Sequence, residues 1–205
     1  MRVRARSVMT EDFCWSSMFQ KVEGNRQFMK IILKDSIYSF KSGFILRRAN
    51  IEDAQGIHNA HMKSIQQICS KDHSFEEIKA WGSRPYDEAQ RVHAIKNDLV
   101  FVVEHTEDIE GYFHLRIFER DGIKCATISG LYLTPKAVGQ SMGKAFVKIM
   151  MEEVYSANIK IVTLESTITA HNFYRKVGFI DDGPESTVKI NGTPVRCYPM
   201  RWELK

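Results

Sequence analysis

Between Glu165 and Phe179 the chain reads Glu-Ser-Thr-Ile-Thr-Ala-His-Asn-Phe-Tyr-Arg-Lys-Val-Gly-Phe, the stretch richest in groups that could do chemistry. A β-branched run, Lys160 to Leu164, leads into it. A Thr/Ser cluster able to cap a helix follows, and Gly178 supplies the stop of a short amphipathic helix. Phe173 and Tyr174 are adjacent in that helix. Successive helical side chains diverge by about 100°, so one ring can anchor the helix in the core while the other faces a neighbouring cleft. A phenol placed there is a proton donor, which makes Tyr174 a candidate general acid.

A second stretch, Lys136 to Lys144, carries Gly139 and Gly143 and ends on a cation where an amphipathic helix begins. The first amides of a helix have no intrahelical partner, and with the helix dipole they bind phosphate. Glycines let a ligand approach the backbone closely. The GxxxxGK[ST] spacing of a nucleotide-binding P-loop is absent. A helix that merely starts with glycine would read the same way.

In order and spacing, these two stretches resemble the GNAT superfamily of acetyl-CoA-dependent N-acetyltransferases. Ala170-x-x-Phe173-Tyr174-x-x-x-Gly178-Phe179 is similar to the family's closing motif. Leu131-Tyr132-Leu133-Thr134-Pro135 followed by Val138-Gly139-Gln140-Ser141-Met142-Gly143-Lys144-Ala145 resembles its acetyl-CoA segment. The resemblance covers roughly residues 44–205. It implies acetyl-CoA as co-substrate, with no metal. The loop residues Val138 to Lys144 would bind the pyrophosphate of coenzyme A. Leu131, Tyr132, Leu133, Thr167, Asn172 and Lys176 would complete the cofactor set. The strand ending at Leu133 would splay from the strand Lys160–Glu165 to admit the pantetheine arm, with Gly130 at a bulge and a backbone N–H near Leu131 facing the thioester carbonyl.

Two positions depart from the family pattern Arg/Gln-x-x-Gly-x-Gly/Ala: Val138 stands at the Arg/Gln position and Ser141 at the middle Gly. Ser141 is compatible with the loop if it lies in a helical first turn. The base is open. The strand before the loop offers Thr127 and Ser129, neither a competent base, so Glu165, His114 and a water relay are the candidates. Family members select the acceptor with the first two helices and the last hairpin. His58, His61, Glu76, Trp81, Arg84 and Tyr86 fall in that region, and His61, Trp81 and Arg84 are the chosen acceptor-contact candidates.

The elements that must position these groups follow from periodicity and turn chemistry. Strands are expected at residues 44–48, 99–104, 111–118, 124–133, 160–165, 186–190 and 195–204, the last two joined by the hairpin signal Asn191-Gly192. Helices are expected over 51–69, capped by Asn50 with Asp53, and over 75–81, capped by the Ser74/Glu77 box. Two more are expected over 139–155 and 169–177. The order β-α-α-β-β-β-α-β-α-β-β implies an α/β (α+β) fold. Its GNAT-like form is a mixed, largely antiparallel twisted sheet of six to seven strands flanked by about four helices.

The remaining sequence excludes several classes. Residues 1–42 carry eight Lys/Arg against four Asp/Glu, a surplus equal to the whole net charge of +4, so residues 43–205 are neutral. A neutral domain behind a basic, partly helical extension does not read as a nucleic-acid binder. No apolar run approaches a membrane span, and the start lacks the apolar core of a secretory signal. Cys14, Cys69, Cys125 and Cys197 form no metal or disulfide pattern. The expectation is a cytoplasmic N-acetyltransferase domain over residues 43–205. It would act on a primary amine of a small molecule or peptide, and a homodimer is possible. A catalytically silent acyl-CoA-binding or interaction module of the same fold is the alternative, and an unrelated nucleotide-binding protein the third.

Overall fold

The computed structural model describes residues 6–8, 37–40 and 42–204. Its strands are β1 (Arg6–Val8), β2 (Ile37–Ser39), β3 (Ile45–Arg48), β4 (Leu99–His105), β5 (Asp108–Arg120), β6 (Ile123–Leu133), β7 (Ile161–Thr167), β8 (Ile180–Asp181), β9 (Ser186–Ile190) and β10 (Thr193–Glu203). Its α-helices are α1 (Ala54–Gln67), α2 (Phe75–Gly82), α3 (Glu88–Asn97), α4 (Met142–Ser156) and α5 (His171–Lys176). The sheet runs β1-β2-β3-β4-β5-β6-β7-β10-β8, with β9 paired to β10. Only β1–β2 and β6–β7 are parallel. This is the expected mixed, largely antiparallel sheet, wider by β1, β2 and β8.

The caps behave as their chemistry dictates. Asn50 and Asp53 exchange backbone–side-chain hydrogen bonds ahead of α1, and Ser74 and Glu77 do the same ahead of α2. Arg47 grips both Asp53 oxygens at 2.7 and 2.8 Å and reaches Glu104 at 2.8 Å, so the start of α1 is tied to β3 and β4. Asn191 and Gly192 both take positive φ, as a two-residue hairpin turn requires.

Three expectations on elements are corrected. The helix α3 was not anticipated: only Ile95 is buried in it, so it carries almost no apolar stripe. Its signal is the cap, where Asp87 accepts from Gln90 N–H at 2.9 Å. The gap expected between strands at 104 and 111 closes to a tight turn at Thr106 and Glu107, both at positive φ, which the sequence does not announce because this pair lacks the usual Asn or Gly. The helix expected from residue 139 starts at Met142. The segment 1–42 contributes β1 and β2, and Tyr38 of β2 packs in the core. The expected helical character of the rest of that segment, and Cys14, lie outside the described residues.

Two layers cover the sheet. Phe146, Ile149 and Met150 of α4 and Tyr174 of α5 pack on Phe113, Leu115, Ile128, Val162 and Leu164. On the other face, α1 and α3 pack on Val100, Val102 and Tyr112, and α1 and α2 enclose Trp81 against Val195. Full burial of each such large side chain contributes roughly 1.5–3 kcal/mol, which holds both layers against the central strands.

Two irregularities in the central strands shape a site. In β5–β6, His114 faces Gly130 and Leu115 faces Ile128, which leaves Ser129 unopposed as a bulge. In β6–β7, pairing runs Ala126–Val162, Thr127–Thr163, Ile128–Leu164 and then stops, although β6 continues to Leu133 and β7 to Thr167. The two strands part immediately beyond the bulge.

Candidate functional site

The parted strands open a cleft of about 420 Å³. From β6 it takes Leu131, Tyr132 and Leu133. The loop and first turn of α4 supply Val138, Gly139, Ser141, Met142, Gly143 and Lys144. The end of β7 and the start of α5 supply Thr167, Thr169, Ala170 and Phe173. Ser64, Ile68 and Cys69 close it from the far side of the sheet.

The loop is built to leave amides free. Ala137 and Val138 N–H both bond to Thr134 O, and Ala145 N–H is the first to bond back, to Ser141 O. Gly139 and Ser141 N–H make no backbone hydrogen bond among the described residues, and the first-turn amides of α4 have no intrahelical partner. Gly139 has φ +82° and open space around it. Gly143 lies under Phe173, where a Cβ would come within 3.1 Å of the ring. That contact sets how closely α4 and α5 flank the cleft.

Ser141 corrects an expectation. It does not lie in a helical first turn but in the left-handed region, φ 62° and ψ 7°. The sequence places a Cβ where the backbone favours glycine.

The loop is also anchored by a residue that motif reading missed. Glu110 is buried, with its backbone O accepting from Thr134 N–H at 2.9 Å and its carboxylate taking the Thr134 hydroxyl. Lys136 and Lys63 stand 3.3 and 4.0 Å from the same carboxylate. The only signal in the sequence was an acid at a position where a strand alternates inward.

The other sequence-derived residues are distributed as follows. Gln140, Asn172 and Lys176 are exposed and do not line the cleft, since the αL turn at Ser141 and the orientation of α5 turn them outward. The Tyr174 ring is buried at 5 % exposure, packed 5.3 Å from both Phe173 and Phe179. It sits beneath the cleft wall, and Phe173 is the ring that forms the wall. Burial, with the Tyr112 hydroxyl adding to it, pushes the Tyr174 phenol well above its ordinary range. Glu165 is exposed on β7 and accepts from the Cys197 thiol at 3.2 Å, outside the cleft lining. Burial and that carboxylate push the Cys197 thiol up to about 12. His114 is buried, bound to Asp98 at 2.8 Å, and burial outweighs Asp98 in lowering its pKa. It too lies off the cleft wall.

On the α1 side, His61, Trp81 and Tyr132 meet in one aromatic cluster. The His61 ring lies tilted at 4.2 Å from Tyr132 and edge-on at 5.6 Å from Tyr112, and Trp81 sits edge-on to Tyr132 at 6.0 Å. Arg91, from the unanticipated α3, donates to His61 Nδ1 at 2.9 Å and lies over the Tyr112 ring. Arg84 is exposed near the same group, and its charge acts on His58, His61, Tyr112 and Tyr132. Among the described residues, the buried side-chain polar atoms without a hydrogen-bond partner include Thr169 Oγ1 in the cleft and His61 Nε2. Among the described residues no group of His, Cys, Asp and Glu is placed to hold a metal, and no helix is long and apolar enough to cross a membrane.

Comparisons with known proteins bear on this geometry. A family model described as an acetyltransferase (GNAT) domain matches residues 69–204. No curated protein matches the sequence. Among solved structures, a GCN5-related N-acetyltransferase from Rhodopseudomonas palustris superposes with a TM-score of 0.67 at 24% identity, covering 78% of this chain and 94% of that one. The paia N-acetyltransferase from Thermoplasma acidophilum, solved with coenzyme A, gives 0.63 at 18% identity over 78% and 99%. The yncA protein of Salmonella typhimurium, solved with its cofactor acetyl-CoA, gives 0.59 at 16% identity over 79% and 94%. These likenesses show the fold, and the family match spans well over half of the sequence. The chain belongs to the GNAT acetyltransferase family.

Proposed function

We propose that the protein transfers the acetyl group of acetyl-CoA to a primary amine by direct attack. The observation that carries this reading is the β6–β7 seam, paired for three residues and then open over a loop with free amides. Pyrophosphate suits the amides of Gly139, Ser141 and the first turn of α4, with Lys144 adding charge. The pantetheine arm suits the parted edges of β6 and β7, where Thr169 Oγ1 is an unused partner for an amide.

In this reading the amine nitrogen attacks the thioester carbonyl, and the oxyanion takes backbone N–H near Leu131. The C–N bond forms, the C–S bond breaks, and the amine proton leaves to solvent. Coenzyme A departs as a thiol. In this proposal the Tyr174 phenol, held protonated at neutral pH, supplies the thiol proton and takes one back from solvent in exchange for the amine proton. Glu165 and His114 stand off the cleft wall, which favours a water relay over a dedicated base.

A second reading is favoured by two observations: no carboxylate lines the cleft, and Tyr174 lies beneath it. In that reading the domain binds acyl-CoA without turnover. The deciding measurement is coenzyme A release with a panel of amines, alongside calorimetry with acetyl-CoA. Release with any amine supports transfer, binding without release supports the silent module, and no binding at millimolar acetyl-CoA removes both. A cytoplasmic setting is part of the proposal, because the free thiols Cys69, Cys125 and Cys197 suit a reducing compartment.

A further inference from the structure

The cluster around His61 has a one-signed charge environment and an unused donor at its centre. Arginine has no acceptor atom, so the 2.9 Å contact between Arg91 Nη2 and His61 Nδ1 requires Nδ1 to be without a proton. The neutral ring then carries its hydrogen on Nε2. His61 is 5 % exposed, and Nε2 has no partner among the described residues. A buried donor left unmade costs on the order of 1–3 kcal/mol, so the site wants an acceptor.

The surroundings state what kind of acceptor. His61, Ser64 and Ile68 lie at i, i+3 and i+7 along α1 and its end, and the latter two line the cleft. Tyr132, in tilted ring contact with His61, lines it as well. His61 itself does not line the cleft but packs directly behind Tyr132, one turn along α1 from Ser64. The standing charges acting on His61 are Arg91 and Arg84, both positive. Neither Arg84 nor Arg91 is in an ion pair among the described residues, whereas Arg47, Arg196 and Arg201 all are. No carboxylate is among the groups acting on His61, and at the rim Glu88 acts on Tyr86. Tyr132 gives this end of the cleft an aromatic lining, backed by the buried rings of Tyr112 and Trp81, which suits an apolar or aromatic side chain.

Resting on the transferase reading above, we infer that the acceptor is an amine that also carries a carboxylate, recognised by Arg84, Arg91 and the Nε2–H of His61. The amine reaches the thioester from the α1 side while the carboxylate neutralises the unpaired arginines. A polycationic amine of the same size meets repulsion instead.

Paired acceptors test this: phenylalanine against phenethylamine, tyrosine against tyramine and histidine against histamine, at saturating acetyl-CoA. The acid of each pair is expected to give a kcat/KM at least tenfold above its decarboxylated partner. Arg84→Gln, at an exposed position that folding does not depend on, cuts that ratio at least threefold through KM and leaves the Kd for acetyl-CoA unchanged. Calorimetry of the same six compounds on the coenzyme A complex supplies a readout independent of turnover. Equal or reversed preference, an unchanged ratio in Arg84→Gln, or no binding of the three acids overturns the inference. Binding of the acids without release of coenzyme A leaves the pocket assignment standing and removes the transferase reading. Turnover that favours the decarboxylated amines does the reverse.

Discussion

Gly130 lies so close to Tyr112 that a Cβ on residue 130 would stand 2.8 Å from the phenolic oxygen. The contact links the two halves of the site. Gly130 adjoins the bulge from which β6 leaves β7, and Tyr112 is the floor on which Arg91 and His61 rest. The absence of one side chain lets the acceptor cluster pack against the strand that would hold the cofactor.

A methyl group at this point must therefore displace Tyr112. Gly130→Ala is expected to destabilise the protein by about 1–3 kcal/mol, the usual cost of overpacking. At this chain length that is about 2–4 °C in Tm per kcal/mol. Acceptor KM should rise more than the Kd for acetyl-CoA, because the displaced ring lies on the acceptor side. An unchanged melting temperature would show that Tyr112 yields freely and that the packing argument is wrong.

Ser141 offers the opposite experiment. At φ 62° it carries a left-handed backbone cost of about 1–2 kcal/mol, and glycine pays back part of that relief in chain entropy. Ser141→Gly should raise stability by about 0.5–1 kcal/mol and leave the amide cradle intact. Ser141→Val should lower it by at least about 1 kcal/mol, since a β-branched residue tolerates this region poorly. Thermal melts of the pair with and without coenzyme A check this. A melting point that falls in the glycine variant contradicts it.

The Tyr174 hydroxyl makes no hydrogen bond among the described residues, although the ring is in the core. Tyr174→Phe should consequently change stability by less than about 1 kcal/mol. If the phenol is the proton donor, kcat drops by about 10²–10⁴ with the Kd for acetyl-CoA unmoved. A phenylalanine variant with wild-type kcat removes the residue from the mechanism and leaves it as packing.

Much of this was written in the sequence, for identifiable reasons. The Asn50/Asp53 and Ser74/Glu77 caps and the Asn191-Gly192 turn are local, and each formed as its own chemistry requires. The departure of β6 from β7 and the bulge beside Gly130 came through family resemblance rather than through periodicity, since β6 alternates like any half-buried strand. Helix α3 escaped because its stability comes from capping and a single buried Ile95, and with it went Arg91. Glu110 escaped for a related reason. Its role rests on Thr134 and Lys136, some two dozen residues away, a pairing that only the hairpin register creates. Choosing between Phe173 and Tyr174 as the cleft wall required the roll of α5 about its axis, which a six-residue helix does not encode in its own pattern.

Glu77 gives the protein a specific acid sensitivity. It caps α2 and receives Arg196 through Nε, Nη2 and the backbone N–H, the last at 2.8 Å, so that α2 is tied to β10. Burial alone would raise its pKa, but the hydrogen bonds from Arg196 and Ser74 prevail and bring it down to about 2. A carboxylate depressed in the folded state stabilises the fold above its unfolded pKa and loses that contribution as pH falls towards the folded value. The window here runs from about pH 4.5 down to about pH 2. The contribution at neutral pH is on the order of 2 kcal/mol once solvent screening at the half-exposed Arg196 is allowed for. Glu77→Gln, which cannot titrate, should melt several degrees lower than the wild type at pH 7. As pH drops from 5 towards 2.5 the two melting temperatures should converge. Parallel curves that never approach one another would mean that the acid limb is set by other carboxylates and that the α2–β10 tie does not govern it.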